Sequence, residues 1–192
     1  MPPKAKFTKK EVIAAALEMV KENGIEILTA RALGERLGSS ARPVFTLFDG
    51  MEEIKAEVIN AAKRLYERYE DDGMCGEQAF KGSGIGYIKF AAEQPKLFRL
   101  LFMTEISGAR DHEKVLPVID GYYEKILASV QSEYGFGRET AKKIYQHLWI
   151  YSHGIASLVA MNVCSFSEET VSEMLNDIGA GIIRKYKAEG KL

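Results

Sequence analysis

The sequence predicts an all-α protein, an N-terminal three-helix helix-turn-helix domain followed by a C-terminal helical bundle, about nine helices in total. Three observations carry this. Helix start and stop signals recur along the chain, and apolar residues recur at helical rather than alternating spacing. Residues 29–48 read as a helix, a glycine turn and a second short helix. Such a unit lays its second helix in the DNA major groove, so this stretch points to DNA binding. The expected boundary gives a DNA-binding domain over residues 1–50 and a second helical domain over 51–192.

The first helix has complete start signals. Thr8 and Glu11 have capping-box spacing, and Phe7 with Val12 has that of a hydrophobic staple. Ile13, Ala16, Leu17 and Val20 follow as one apolar stripe, and Gly24 ends the helix. Thr29 is the next N-cap, Leu33 and Leu37 mark the inner face of helix 2, and Gly38 is the turn. With Ser40 as N-cap, Pro43 takes the third helical position, where an amide has no intrahelical acceptor. The reading helix is therefore expected from Ala41 to Leu47, with Val44 and Phe48 turned inward.

A long helix over 51–68 comes next, with Ile54, Val58, Ala61, Ala62 and Leu65 on one side, and Asp71 to Gly76 breaks it. Further helices are expected over 78–93, 95–103, 113–134 with a kink at Pro117, 139–162 and 168–186. Between Leu148 and Met161 nearly every face is apolar, which calls for burial all round. The final helix carries Val171, Met174, Leu175, Ile178 and Ile182 in a stripe beside Gly179 and Gly181. Each interior glycine costs about 1 kcal/mol, which close helix–helix approach offsets. A homodimeric four-helix interface is expected here, through Tyr151, Ile155, Leu158, Met174, Ile178, Gly181 and Ile182. An ordinary intrachain core is the plainer alternative.

Composition sets wide bounds. A 46% hydrophobic and 28% charged share is ordinary for a soluble globular chain of 192 residues. The net charge of −1 hides a basic tip (Lys4, Lys6, Lys9, Lys10) and an acidic run (Glu67, Glu70, Asp71, Asp72, Glu77). Only a contacting face has to be positive for phosphate binding. Cys75 and Cys164 make no disulfide framework, no signal peptide is evident, and Ile155 to Cys164 is half a membrane span. A cytoplasmic protein without a membrane partner is expected.

With these residues placed, the N-terminal fifty resemble the TetR family of bacterial repressors. The resemblance rests on the capped first helix, Gly24, Thr29-Ala30-Arg31, Leu37-Gly38, Ser40, Val44-Phe45, Phe48 and the acidic start at Glu52-Glu53. Trp149, His153 and Gly154, with the segment from Pro95 to Phe102, resemble one branch of TetR ligand domains. The resemblance implies a ligand-responsive repressor that binds a palindromic operator as a homodimer. A small-molecule effector would enter the C-terminal bundle, shift the fourth helix and change the spacing of the two reading helices. Three positions depart from the family pattern. Phe45 stands for a tyrosine, Leu47 for a histidine or tyrosine, and Met51 for a lysine, all normally phosphate contacts. Substitute contacts are expected from Thr8, Thr29, Thr46 and the lysines of the N-terminal arm, Lys6 among them.

Arg42, in the first turn of the reading helix, is the candidate for base recognition, since arginine pairs bidentately with guanine; a phosphate contact is the alternative. Ser39, Ser40, Ala41, Phe45 and Thr46 complete that surface, Ser40 doubling as a cap, and Arg31 and Arg36 reach phosphate or simply solvent. The second domain is rich in aromatics suited to a pocket lining, Tyr87 and Tyr151 among them; Phe90, Phe98, Phe102, Tyr122, Tyr123 and Trp149 are candidate ligand contacts, with His153 the polar group among them. Each has a plain core role as its alternative. His147 and His153 are six apart, the wrong spacing for one metal, and Gly82 to Gly86 lacks phosphate-loop spacing and reads as small residues in a closely packed or loosely wound helix. No metal, cofactor or enzymatic activity is expected. A family member with lapsed DNA binding, acting as an interaction module, is the alternative function.

Overall fold

The computed structural model describes residues 7–76, 78–105 and 112–190. In chain order it shows α1 (Lys9–Asn23), a 3-10 turn (Ile25–Ile27), α2 (Ala30–Arg36) and a second 3-10 turn (Val44–Thr46). Then come α3 (Met51–Met74), α4 (Ala79–Glu93), α5 (Pro95–Phe102), α6 (His112–Ile119), α7 (Tyr123–Tyr134), α8 (Arg138–Ala160) and α9 (Glu168–Ala188). The fold is all-α, with nine α-helices and no strand among the described residues. Two compact units result, Met1–Leu65 with Lys96–Thr104 and Tyr66–Pro95 with Glu105–Leu192.

In the first unit, α1 starts as its spacing predicts. Thr8 Oγ1 accepts from the Glu11 N–H at 3.2 Å, and the Glu11 carboxylate accepts from the Thr8 N–H at 2.8 Å. Two N-terminal donors are thereby satisfied. The buried face is Val12, Ala16, Met19 and Val20. This is one position round from the expected stripe: Ile13 and Leu17 are only half-buried. Helical spacing alone admits both faces, and packing on α2 and the first 3-10 turn selects one.

α2 is capped by Thr29, whose Oγ1 accepts from the Ala32 N–H at 3.2 Å. Gly38 then takes φ +62°, a left-handed conformation that a side chain would strain. The expected helix from Ala41 to Leu47 is reduced to the 3-10 turn Val44–Thr46, with Pro43 rather than Ser40 at its N-cap. Pro43 lacks the N–H for an α-helical bond, and the chain closes i→i−3 contacts instead. The Val44 N–H donates to Ala41 O at 3.0 Å and the Leu47 N–H to Val44 O at 3.0 Å. The Thr46 hydroxyl donates back to Pro43 O at 2.7 Å. Val44 and Phe48 are nonetheless buried, as expected.

α3 runs to Met74, through the acidic segment expected to end it. In the second unit its last turns cross α4 at very short range. A Cβ on Gly82 would collide with the Gly73 carbonyl, one on Gly73 with the Gly82 carbonyl, and one on Gly86 with the Tyr69 carbonyl. The glycines of α4 are thus the closely packed helix that the sequence implied. The expected 113–134 helix is two, because the Asp120 side chain accepts from the Tyr122 N–H at 2.8 Å and turns the chain between α6 and α7. Around them, Phe80, Ile126, Leu127, Val130, Ile144 and Tyr145 form the core on which α4, α7, α8 and α9 pack.

Candidate functional site

The helix-turn-helix in the first unit is held from beneath and open above. Leu33, Val44 and Phe48 are buried, whereas Ser40, Arg42, Phe45 and Thr46 are exposed and Ser39 and Ala41 half-buried. Gly34 lets α2 meet the turn, since a Cβ there would lie 2.9 Å from the Ala41 nitrogen. The turn is fixed by the Ser39 N–H donating to Gly34 O at 2.9 Å. Gly34 was not singled out from sequence, because its role depends on a loop folding back over it.

Charges sort the candidate cations. Arg36 is clamped by Glu22 through bonds of 3.1 and 2.7 Å that tie α2 to α1. Arg31 pairs with Glu35 at 2.9 Å on an open surface, where such a pair contributes little. Lys9 is committed to Glu53 at 2.8 Å and lies 4.7 Å above the Phe48 ring. Glu53 also accepts from the Asp49 N–H at 2.7 Å, capping α3. Of Arg31, Arg36 and Arg42, only Arg42 has no ion-pair partner among the described residues. Thr8 and Thr29 hold caps, each with its oxygen engaged by a backbone N–H. Lys6 lies outside the described residues.

The second unit encloses a cavity of about 590 Å³. Tyr66 and Glu70 enter it from α3, Ser83, Gly84 and Tyr87 from α4, Tyr145, Trp149 and Ser152 from α8, and Leu175, Gly179 and Arg184 from α9. Asp120 lines it from the α6–α7 corner. Gly84 is a wall of this space, for a Cβ there would lie 3.3 Å from Leu175 Cδ1 and 3.4 Å from Ser152 Oγ. Two carboxyls stand inside. Glu70 is fully buried; its Oε1 accepts from the Tyr66 hydroxyl at 2.8 Å, while Oε2 is buried without a hydrogen-bond partner. Asp120 accepts from the Tyr145 hydroxyl and the Tyr122 N–H. Burial, reinforced by the Asp120 charge, pushes the Glu70 carboxyl up to about 8. Burial also raises Asp120, against the pull of its two donors.

Of the expected ligand contacts, Trp149 lines the cavity. His153 stands behind it, stacked on Trp149 at 5.0 Å, with Nδ1 2.9 Å from the Tyr87 hydroxyl. Burial lowers the His153 pKa, favouring the neutral ring. Phe90 packs on Tyr66 and Tyr69 away from the lining, and Phe98 and Phe102 are buried in the first unit, 5.2 Å apart. Tyr122 lies under Lys125, and Tyr123 borders a shallow groove with Arg138. Tyr87, one of the aromatics expected from sequence, also lines the cavity, whereas sequence reasoning missed Glu70, Asp120 and the tyrosines at 66 and 145. The four-residue spacing of Tyr66 with Glu70 and of Ser83 with Tyr87 was the available signal.

A third feature is an apolar face on α8 and α9. Ile150, Leu158 and Met161 are 53%, 41% and 50% exposed, with Gly154 exposed between them. Ile178 and Gly181 are exposed on α9, and Tyr151, Met174 and Ile182 are half-buried. Ile155 points inward and is buried. Ile150 and Met161 extend this face beyond the residues expected from sequence.

Comparison with known proteins bears on both units. Residues 80–176, half of the chain, match the family described as tetracyclin repressor-like, C-terminal domain. An uncharacterized HTH-type transcriptional regulator, YobS of Bacillus subtilis (strain 168), is 21% identical over 178 residues, which cover 91% of this chain and 90% of the relative. The structure of a fatty acid degradation regulator, FadR from Bacillus halodurans, superposes with a TM-score of 0.61 at 15% identity. It covers 94% of this chain and 97% of that one. Among the described residues, no helix is long and apolar enough to cross a membrane.

Proposed function

Because the chain belongs to the tetracycline-repressor-like family of transcriptional regulators, we propose that it is a repressor that binds a palindromic operator as a homodimer and is released by a small molecule. The observation that carries this reading is the continuity of α3. One 24-residue helix begins at Met51, directly behind the helix-turn-helix, and later delivers Tyr66 and Glu70 to the cavity wall. A ligand that moves those side chains moves the same rod whose first turn Glu53 fastens to Asp49 and Lys9.

Release requires the ligand to bind the DNA-incompetent arrangement more tightly than the competent one, and DNA then weakens ligand binding by the same factor. The apolar face of α8 and α9 supports pairing of two protomers. Residues 1–50 serve as the DNA-binding domain and 51–192 as the ligand-binding and dimerisation domain. Arg42, Ser40, Phe45 and Thr46 face the groove, with Thr8, Thr29 and Lys6 on phosphates. Phe45 supplies an apolar contact in place of a tyrosine hydroxyl.

Fluorescence anisotropy with the promoter region flanking the gene itself tests this. Wild type should bind in a salt-sensitive manner, and Arg42→Ala with Thr46→Ala should abolish binding. Salt-insensitive or absent binding to every such fragment would instead support the interaction-module reading.

A further inference from the structure

We infer that the cavity of the second unit is built for a lipophilic organic cation, an ammonium group on an apolar or aromatic body, with Glu70 and Asp120 as its charge-recognising pair. The inference rests on the reading of this cavity as the effector site and names the chemistry of that effector.

Two independent observations support it. The first is an unsatisfied group: Glu70 is fully buried, lines the cavity, and leaves Oε2 without a hydrogen-bond partner. A buried polar atom without a partner is costly, so its retention calls for an occupant that supplies one. The second is the company it keeps. Asp120 is the other acid of the wall, and neither carboxyl is paired with an arginine, lysine or histidine among the described residues. The two acids disfavour each other's ionisation in a low-dielectric space, and one entering positive charge relieves that conflict.

The rest of the wall fits the same guest. Tyr66, Tyr87, Tyr145 and Trp149 present aromatic surface beside the carboxyls. Aromatic rings attract a cation through their quadrupole. Basic side chains also border the cavity: Lys81 is half-buried, and Arg184 and Lys187 are exposed. An anionic guest drawn to these cations would still face Glu70 and Asp120 inside. A neutral hydroxyl guest donates to Glu70 Oε2 but brings no counter-charge to the two acids.

Isothermal titration of the full-length protein with three ligands sharing one tail separates these guests. Decylammonium, decanol and decanoate are each used below the micellar range. The cation should bind at least about ten-fold tighter than either of the others. Glu70→Gln should remove most of that preference, and a cooperative thermal melt shows that the variant is folded. Asp120→Asn provides a second, independent variant with the same expectation. Decanoate or decanol binding as tightly as the cation would overturn the inference while leaving the cavity as an effector site. So would a cation preference that survives both substitutions. Failure of all three ligands to bind would overturn the effector-site reading, and the inference with it.

Discussion

At the scale of single residues, Glu70 links folding to pH. Its carboxyl titrates at about 8 in the folded chain, because burial and the neighbouring Asp120 disfavour the anion, against an ordinary 4.5. Between pH 4.5 and 8 the folded chain therefore holds a proton that the unfolded chain has lost. The stability tied to this group is fully present below 4.5 and is lost as pH rises through 8, by an amount on the order of a few kcal/mol. Asp120, also raised by burial, adds to the loss with the same sign. Glu70→Gln is expected to flatten the profile and melt higher than wild type at pH 8. Thermal denaturation at pH 5 and pH 8 checks this, and parallel losses in both proteins would refute it. Arg42 acts on a different equilibrium. Arg42→Ala alone should cost about 1–3 kcal/mol of operator binding, while Arg36→Ala, which breaks the clamp to Glu22, should lower stability instead. Anisotropy and melting, run on both variants, distinguish the two roles.

At the scale of elements, local chemistry was legible and distant contact was not. The caps at Thr8 and Thr29 and the burial of Val44 and Phe48 follow from residues within one or two turns, and the structure shows them. The reading helix was overestimated because Pro43 was placed inside an α-helix, whereas it starts a 3-10 turn closed by the Thr46 hydroxyl. Asp71 to Met74 resembled a helix end, yet the glycines of α4 supply a surface on which α3 continues. Glu70 read as one of an acidic run, and its four-residue spacing from Tyr66 was a weak signal, since such pairs are common on open helix faces. Only the crossing of α3 with α4 buries it. That crossing makes a prediction of its own. Gly82→Val should force the helices apart and destabilise the chain by about 1–3 kcal/mol, lowering Tm by several degrees. Gly181→Ala, where a Cβ meets nothing within 4 Å, should leave the isolated chain's stability unharmed.

At the scale of the whole molecule, the proposed function depends on two copies acting together. The exposed apolar residues of α8 and α9 offer a self-complementary face, and glutamate at Leu158 would bury charge in it. Leu158→Glu is expected to yield monomers in sedimentation analysis and to weaken operator binding by about a hundred-fold or more, the avidity of linked half-sites being lost. The TetR-type assignment was legible from the first fifty residues, and the cavity chemistry emerged only from the folded bundle. The most direct test of the account is anisotropy with a fragment from the chain's own promoter region, titrated with salt and repeated with Arg42→Ala and Thr46→Ala combined. The account predicts salt-dependent binding of two protomers per site, lost in the double variant. Equal binding by wild type and double variant, or no salt-sensitive binding at all, would contradict it.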